Sequence, residues 1–593
     1  MGSNGTNAGA AAALSPRLRR GPAAPAELLQ FARRASRRIA LPLVGAAIVT
    51  LLVGYPLLSF LALAVFPHLF GQGGAGAAIS LDGFAAALTG YNLRALFNSL
   101  WIGAGAAVIG TSIGLWLSWL TSRTSLPGRR LIEAAVWAVL LLPSYFMAVG
   151  WQLLLAPGGL IDLPWLSGLM LSAFGVMVVL GLKGIPFAYL TLVAAWQALP
   201  EEIDEAGRVH GCRPLTRLRL SLGLLAPGIL AAVAMIYAES LSDFGVAATL
   251  AAGVNFPLAT FAIYAALDTM PLDFSLAAAN SWLLLGLVLP AVWLQARVNR
   301  RAERYRVVTG RARPPRRRAL GRWRGGLHAA GVALVMALAL GVPIFAAATI
   351  SLVVDPSQPV GWGNLSLSHY VDVFRLPEVF GALFYSARLA LISALGAILL
   401  GLAVTLALMR PSGLTRLLDW GLLTIMALPG LILAAGYIFA FNQAWLPLYG
   451  SSTLLVMAYV TGSLPVTSRM LLGPVGQQHR NLHEAAAVHG LSAARRWLRV
   501  RLPLLATPLM FAFLLTASHV VFELPASELL YPPGSPPLAV ALIAYLHGFN
   551  FATEAALQLT AIALVGGAVL LLRFGFDRLV PRGWQRRALE PAR

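Results

Sequence analysis

Asn481-Leu-His-Glu484-Ala-Ala-Ala-Val-His-Gly490 is a polar island in a very apolar chain, and it has a twin. The twin reads Pro200-Glu-Glu-Ile-Asp-Glu205-Ala-Gly-Arg-Val-His-Gly211 and lies 279 residues upstream in nearly the same register. In the first copy Pro200 suits the first helical position and Glu201, Glu202, Asp204 and Glu205 crowd the opening turns. Arg208 and His210 fall at the other end, the order that the helix macrodipole favours. Gly211 supplies the left-handed residue that stops the helix, and Pro214 restarts it. In the second copy Asn481 and Glu484 have capping-box spacing, Gly490 is the stop and Ser492 caps the next helix. Each stretch therefore reads as a short helix, a glycine corner and a longer basic helix entering a membrane. Such a knob can dock into a groove on another protein.

The 593 residues around these islands are 58% hydrophobic and 11% charged, which excludes disorder and speaks against a soluble fold. Crossing a bilayer takes ~20 apolar residues. Windows of that order are expected at 39–66, 95–122, 134–161 and 166–198, from about 222, and at 274–296. A second series follows at 326–353, 387–409, 418–443, 452–477, 503–522 and 555–573. Segments 256–270 and 536–549 are apolar but too short to cross, and read as re-entrant or interfacial. The net charge of +21 sits in arginine clusters between apolar runs, so it marks the cytoplasmic side of a membrane protein rather than a nucleic-acid partner.

The organisation that follows has five parts. A basic tail spans 1–38, a six-span domain 39–296, an arginine-rich linker 297–325, a second six-span domain 326–573 and a basic tail 574–593. Six spans per half place both termini, the linker and both Glu-Ala loops on one face, so the repeat is parallel rather than inverted. Matches elsewhere agree: Asn98-Ser99 with Tyr385-Ser386, Leu142-Pro143 with Leu428-Pro429, Pro186 with Pro465, and Pro257-Leu-Ala259 with Pro537-Leu-Ala539. The fold class is an all-α polytopic membrane protein of about twelve spans.

Chemistry is sparse. Lys183 is the single lysine, and no Gly-Lys-Ser/Thr phosphate loop exists, so any ATP must be hydrolysed by a partner. Lys183 falls well inside a span, where it either serves function or sits in a polar pocket or snorkels to water. Asp243 and Glu523 end the fifth span of each half, with Glu239 one turn before Asp243. They are candidates for a pore or gate, and equally for helix caps. His210 and His489 repeat, but without companion ligands they predict no metal site, and a single cysteine, Cys212, excludes an internal disulfide.

The second loop, continued through Val500-Arg-Leu-Pro503, resembles the cytoplasmic loop of ABC importer permeases, E-A-A-x3-G-x9-I-x-L-P. The first departs from it, with Gly207 in the second Ala position and Ser221, Gly223 and Leu224 in the closing ones. Asp243-Phe-Gly and Glu523-Leu-Pro are similar to segments of the ferric-iron branch, itself similar to the thiamine, polyamine and phosphonate branches. The resemblance covers about 96–296 and 385–573. It implies a bacterial inner-membrane permease without a cofactor of its own, two copies of a partner ATPase, and a periplasmic solute-binding protein. Glu205, Ala206, Glu484 and Ala485 would anchor the ATPase, with Gly211 and Gly490 setting the corners. The rival is a secondary transporter of the major facilitator kind, faintly suggested by Gly128-Arg-Arg130 but lacking the upstream Gly-x-x-x-Asp. A membrane-embedded enzyme lacks any convergent nucleophile, acid pair or metal site.

Overall fold

The computed structural model describes residues 42–70, 79–157, 159–199, 201–304, 317, 319–355, 358, 360–410, 412–478 and 480–579. The expected N-terminal tail, residues 305–316 and 318 of the linker, the end of the C-terminal tail and Pro200 lie outside them. The first half runs α1 Pro42–Ala64, α2 Asp82–Ala87, α3 Gly90–Arg123, α4 Arg129–Leu141, α5 Ser144–Leu155, α6 Pro164–Met170, α7 Ala173–Ala198, α8 Glu201–Val209, α9 Pro214–Ser242, α10 Ala259–Asp268 and α11 Phe274–Arg304. The second runs α12 Arg322–Ile350, α13 Ser368–Arg375, α14 Pro377–Leu408, α15 Gly413–Ala427, α16 Gly430–Phe441, α17 Ser452–Gly476, α18 Arg480–Val488, α19 Ala493–Val521, α20 Pro525–Leu530, α21 Leu538–His547 and α22 Phe551–Leu579. Two-residue strands Asn442–Gln443 and Leu446–Pro447 pair antiparallel after α16.

Among the described residues, ten helices are long and apolar enough to cross a membrane. The windows 134–161 and 418–443, each expected as a span, are each two helices meeting at a sharp bend, 95° in the first half and 111° in the second. Proline is the cause. It disfavours helical geometry in the residue before it, and Leu142 and Leu428 are extended, with ψ of 136° and 126°. Each bent pair still carries the chain across, because its neighbours run parallel. Arg123, at the end of α3, reaches the end of α7, and Gly114 and Gly110 meet Ala188 and Gly181 farther back along the same two helices. In the second half Tyr385 pairs with Ser452 and Thr405 with Ser468, so α14 and α17 are parallel too. Counting each bent pair once gives twelve crossings, six per half.

The halves are laced together by their first helices. Helix α1 packs on α16 of the second half, and α12 packs on α5 of the first. The contacts correspond: a Cβ on Gly436 would come within 2.6 Å of the Pro56 carbonyl, and one on Gly150 would overlap Pro343. A π turn precedes each of these prolines, at Thr50–Gly54 and Ala337–Gly341. A proline offers no N–H to the preceding turn, and the widened turn absorbs the missing bond.

The short helices α10 and α21 are largely buried against the long helices of their own half. Ser99 accepts the Ala259 N–H at 2.8 Å, and Ser386 accepts the Leu538 N–H at 2.7 Å. Two of the repeated motifs in the sequence are thus partners of one another in space.

Candidate functional site

Both Glu-Ala stretches form the same object. Helix α8 ends on Gly211 at φ 68° and α18 on Gly490 at φ 75°. The closing bonds match: Gly211 N–H to Arg208 and Cys212 N–H to Gly207 in one, Gly490 N–H to Ala487 and Leu491 N–H to Ala486 in the other. This is the Schellman arrangement, which satisfies the orphan carbonyls and turns the chain. Ser492 caps the next helix through the Arg495 N–H. Asn481 differs from its expected capping role: α18 already begins at Arg480, so Asn481 lies inside the helix.

Glu205, Ala206, Gly211, Glu484, Ala485 and Gly490 are all exposed, on the face where α3, α7, α14 and α17 end. Gly207 and Ala486 are the buried positions of the two knobs. The Arg217 stem explains the glycine in the first copy, since a Cβ on Gly207 would stand 3.1 Å from it. Spacing alone does not single out Val209 and Val488, which are 84% and 86% exposed at equivalent points. An apolar side chain at the tip of each knob is a natural anchor for a partner's pocket. Arg123 was also unforeseen: it donates to the carbonyls of Trp196 and Leu199 at 2.8 Å each and lies over the Trp196 ring, gripping α7 where the first knob begins.

The acids lie at the other ends of α9 and α19, away from the knobs. Asp243 accepts the Val246 N–H at 2.7 Å, and Glu523 accepts those of Ala526 and Ser527 at 2.9 and 3.0 Å. Both are therefore caps of the turns that follow, and both sit beside the proline bends. A Cβ on Gly430 would come within 3.8 Å of the Glu523 carboxylate, and the Ser144 hydroxyl bonds Asp243. Burial raises both carboxyls above their ordinary range, against the pull of these N–H donors. Glu528, on α20, accepts the hydroxyl of Tyr264 from α10 across the two halves at 3.3 Å, and burial pushes it up to about 7.

Lys183 is not adrift in lipid. Its ammonium donates to the carbonyls of Val139 and Leu140 at 3.0 and 3.1 Å and to that of Leu142. It therefore caps the end of α4 at the bend, where unpaired carbonyls carry partial negative charge. Glu239 is exposed in a recess between α9, α11 and α15, and His519 occupies its equivalent place on α19, also exposed. Helix α9 touches α15 and α19 touches α4, so these four line a common seam between the halves. Among the described residues no three His, Cys, Asp or Glu side chains converge as metal ligands.

Residues 110–304 and 397–584 match the family described as the binding-protein-dependent transport system inner membrane component, once per half. A probable ABC transporter permease of Sinorhizobium fredii is 26% identical over 76% of this chain and 81% of its own length. A ferric transport system permease of Actinobacillus pleuropneumoniae is 24% identical over 73% of this chain and 65% of its own. Matches to shorter stretches bear the names of sulfate, 2-aminoethylphosphonate and molybdenum transport permeases.

Proposed function

The chain belongs to the inner membrane components of binding-protein-dependent transport systems, the permeases of ABC importers, and from that premise we propose how it works and what it carries. Membership sets aside the secondary-transporter reading and implies an ATPase and a solute-binding protein as partners. In this proposal each of the two knobs receives one copy of a separate ATPase on the cytoplasmic face, while the opposite face meets the binding protein in the periplasm. The carrying observation is the matched pair of Schellman-cornered knobs, each exposing a glutamate and a valine on one face. ATP binds to the partner, and this chain contributes no cofactor.

The cargo we propose is ferric iron. Glu239, Asp243, Glu523 and Glu528 outnumber Lys183 and His519 around the seam and its outer mouth, a balance that favours a cation over an oxyanion. The ferric relative also aligns across both halves, whereas the relatives named for oxyanions match 26–38% of the chain. Reconstitution with the ATPase and binding protein, reading radiolabelled ferric uptake beside sulfate, molybdate and 2-aminoethylphosphonate, tests both parts. Iron accumulation that needs ATP supports the assignment. ATP-driven uptake of an oxyanion instead would overturn the cargo, and retention of no ATPase by the purified chain would overturn the coupling.

A further inference from the structure

The two halves hold their proline bends differently. In the first, Lys183 of α7 takes three carbonyls at the tip of α4, so the 95° bend is bound to the next span. By the register of Pro186 with Pro465, the equivalent position on α17 is Gly462, whose missing side chain leaves open space. The second half does tie the corresponding helix, but elsewhere: Arg469 of α17 bonds Asp419 of α15 at 2.5 Å. Arg469 stands two turns beyond Gly462, ~10 Å nearer the knobs. One half is thus fastened at the tip of its bent span, and the other at its base.

We propose that Lys183 is a positioning residue that locks the bend of the first half, and that the bend of the second half, α15 to α16, is the one that flexes. A helix end inside a bilayer has no water to satisfy its carbonyls, so an ammonium that does so is costly to remove and holds the end in place. Without it, α15 pivots on the Arg469–Asp419 pair and carries Gly430, and with it the neighbourhood of Glu523, along the seam. The half with the free bend is also the half whose knob keeps the full Glu-Ala-Ala pattern. The lock stands on hydrogen-bond geometry alone. That the free bend serves transport rests on the permease reading.

Cys212 is the single cysteine, so Cys212→Ser gives a clean background for paired spin labels. Leu131→Cys with Trp165→Cys spans the first bend, and Leu417→Cys with Trp445→Cys the second, all at exposed positions. In the isolated chain in nanodiscs, the first pair is expected to give one narrow distance distribution and the second a broad or double one. Lys183→Met should widen the first to resemble the second. Gly462→Lys should narrow the second and lower uptake. Equal widths in the parent protein overturn the proposal, as does a folded Lys183→Met variant whose first bend stays narrow. Should Lys183→Met not fold, Gly462→Lys decides: a second bend left unchanged counts against the lock. None of these distances needs an ATPase, so they stand apart from the outcome of the uptake assay. Adding the ATPase with ATP should move the second pair more than the first; the reverse order overturns the assignment of the moving half.

Discussion

Asp243 and Glu523 look alike in the sequence and cap differently. Asp243 accepts the Val246 N–H through one oxygen, whereas Glu523 uses both, one for Ala526 and one for Ser527. An amide keeps one acceptor and turns the other into a donor. Asp243→Asn should therefore leave thermal stability near the parent's, while Asp243→Ala costs ~1 kcal/mol, the usual loss on removing a cap. Glu523→Gln should be the more damaging amide, because its NH2 would face one of these two N–H groups and leave it without an acceptor. If uptake falls in a stable Asp243→Asn variant, the charge rather than the cap is what transport needs. Glu528 supplies a pH signature. Its folded value of about 7 lies above the ordinary carboxyl range, so the folded state holds the proton more tightly. The stability this contributes is full below about pH 4.3, the unfolded carboxyl's range, and is lost as pH rises through 7. Melting curves of the detergent-solubilised protein from pH 5 to 8 should show that decline, and Glu528→Gln should make it shallower. An unchanged slope in the variant would place the titration elsewhere.

At the scale of elements, the knobs are the legible part, since short-range spacing writes both the helix and its glycine corner. What the spacing does not reveal is which side chains a knob leaves outside, and Val209 and Val488 emerge only once the corner is folded. Val209→Asp and Val488→Asp should each weaken ATPase retention roughly tenfold, the loss of one interface anchor worth about 1.4 kcal/mol. Gly490→Val should act through shape instead, as a left-handed residue with a β-branch is strained by ~1–2 kcal/mol. Pull-down of the ATPase by each inserted variant reads both, and full retention by the aspartates would remove the valines from the interface. The bends were harder to foresee. Both windows are long and apolar enough for a straight span, and hydropathy does not register that Leu142 and Leu428 precede proline. Nor does it show that Lys183 closes on carbonyls 41–44 residues upstream. A lone charge in an apolar run states a cost, and the partners that meet the cost come from another helix.

For the whole molecule, the parallel repeat was readable from equivalent motifs and charge, but the exchange of first helices was not, because each lies far in sequence from the surface it covers. Helix α1 completes the second half and α12 the first. Separate expression of residues 1–310 and 311–593 should accordingly yield a stable complex only when both are present together, with each piece alone aggregating on extraction. A monodisperse, stable second piece on its own would contradict the exchange. The lacing also has a consequence in time. Helix α1 enters the membrane early in synthesis, yet α16 is made about 370 residues later, which at ~5–20 residues per second is roughly 20–70 s. For that interval the nascent chain holds an orphan span whose packing surface, including Pro56, faces lipid or the insertion machinery. Assembly of the first half therefore waits on translation of the second, and slowing the ribosome between the two would lengthen the period in which quality-control proteases see an incomplete protein.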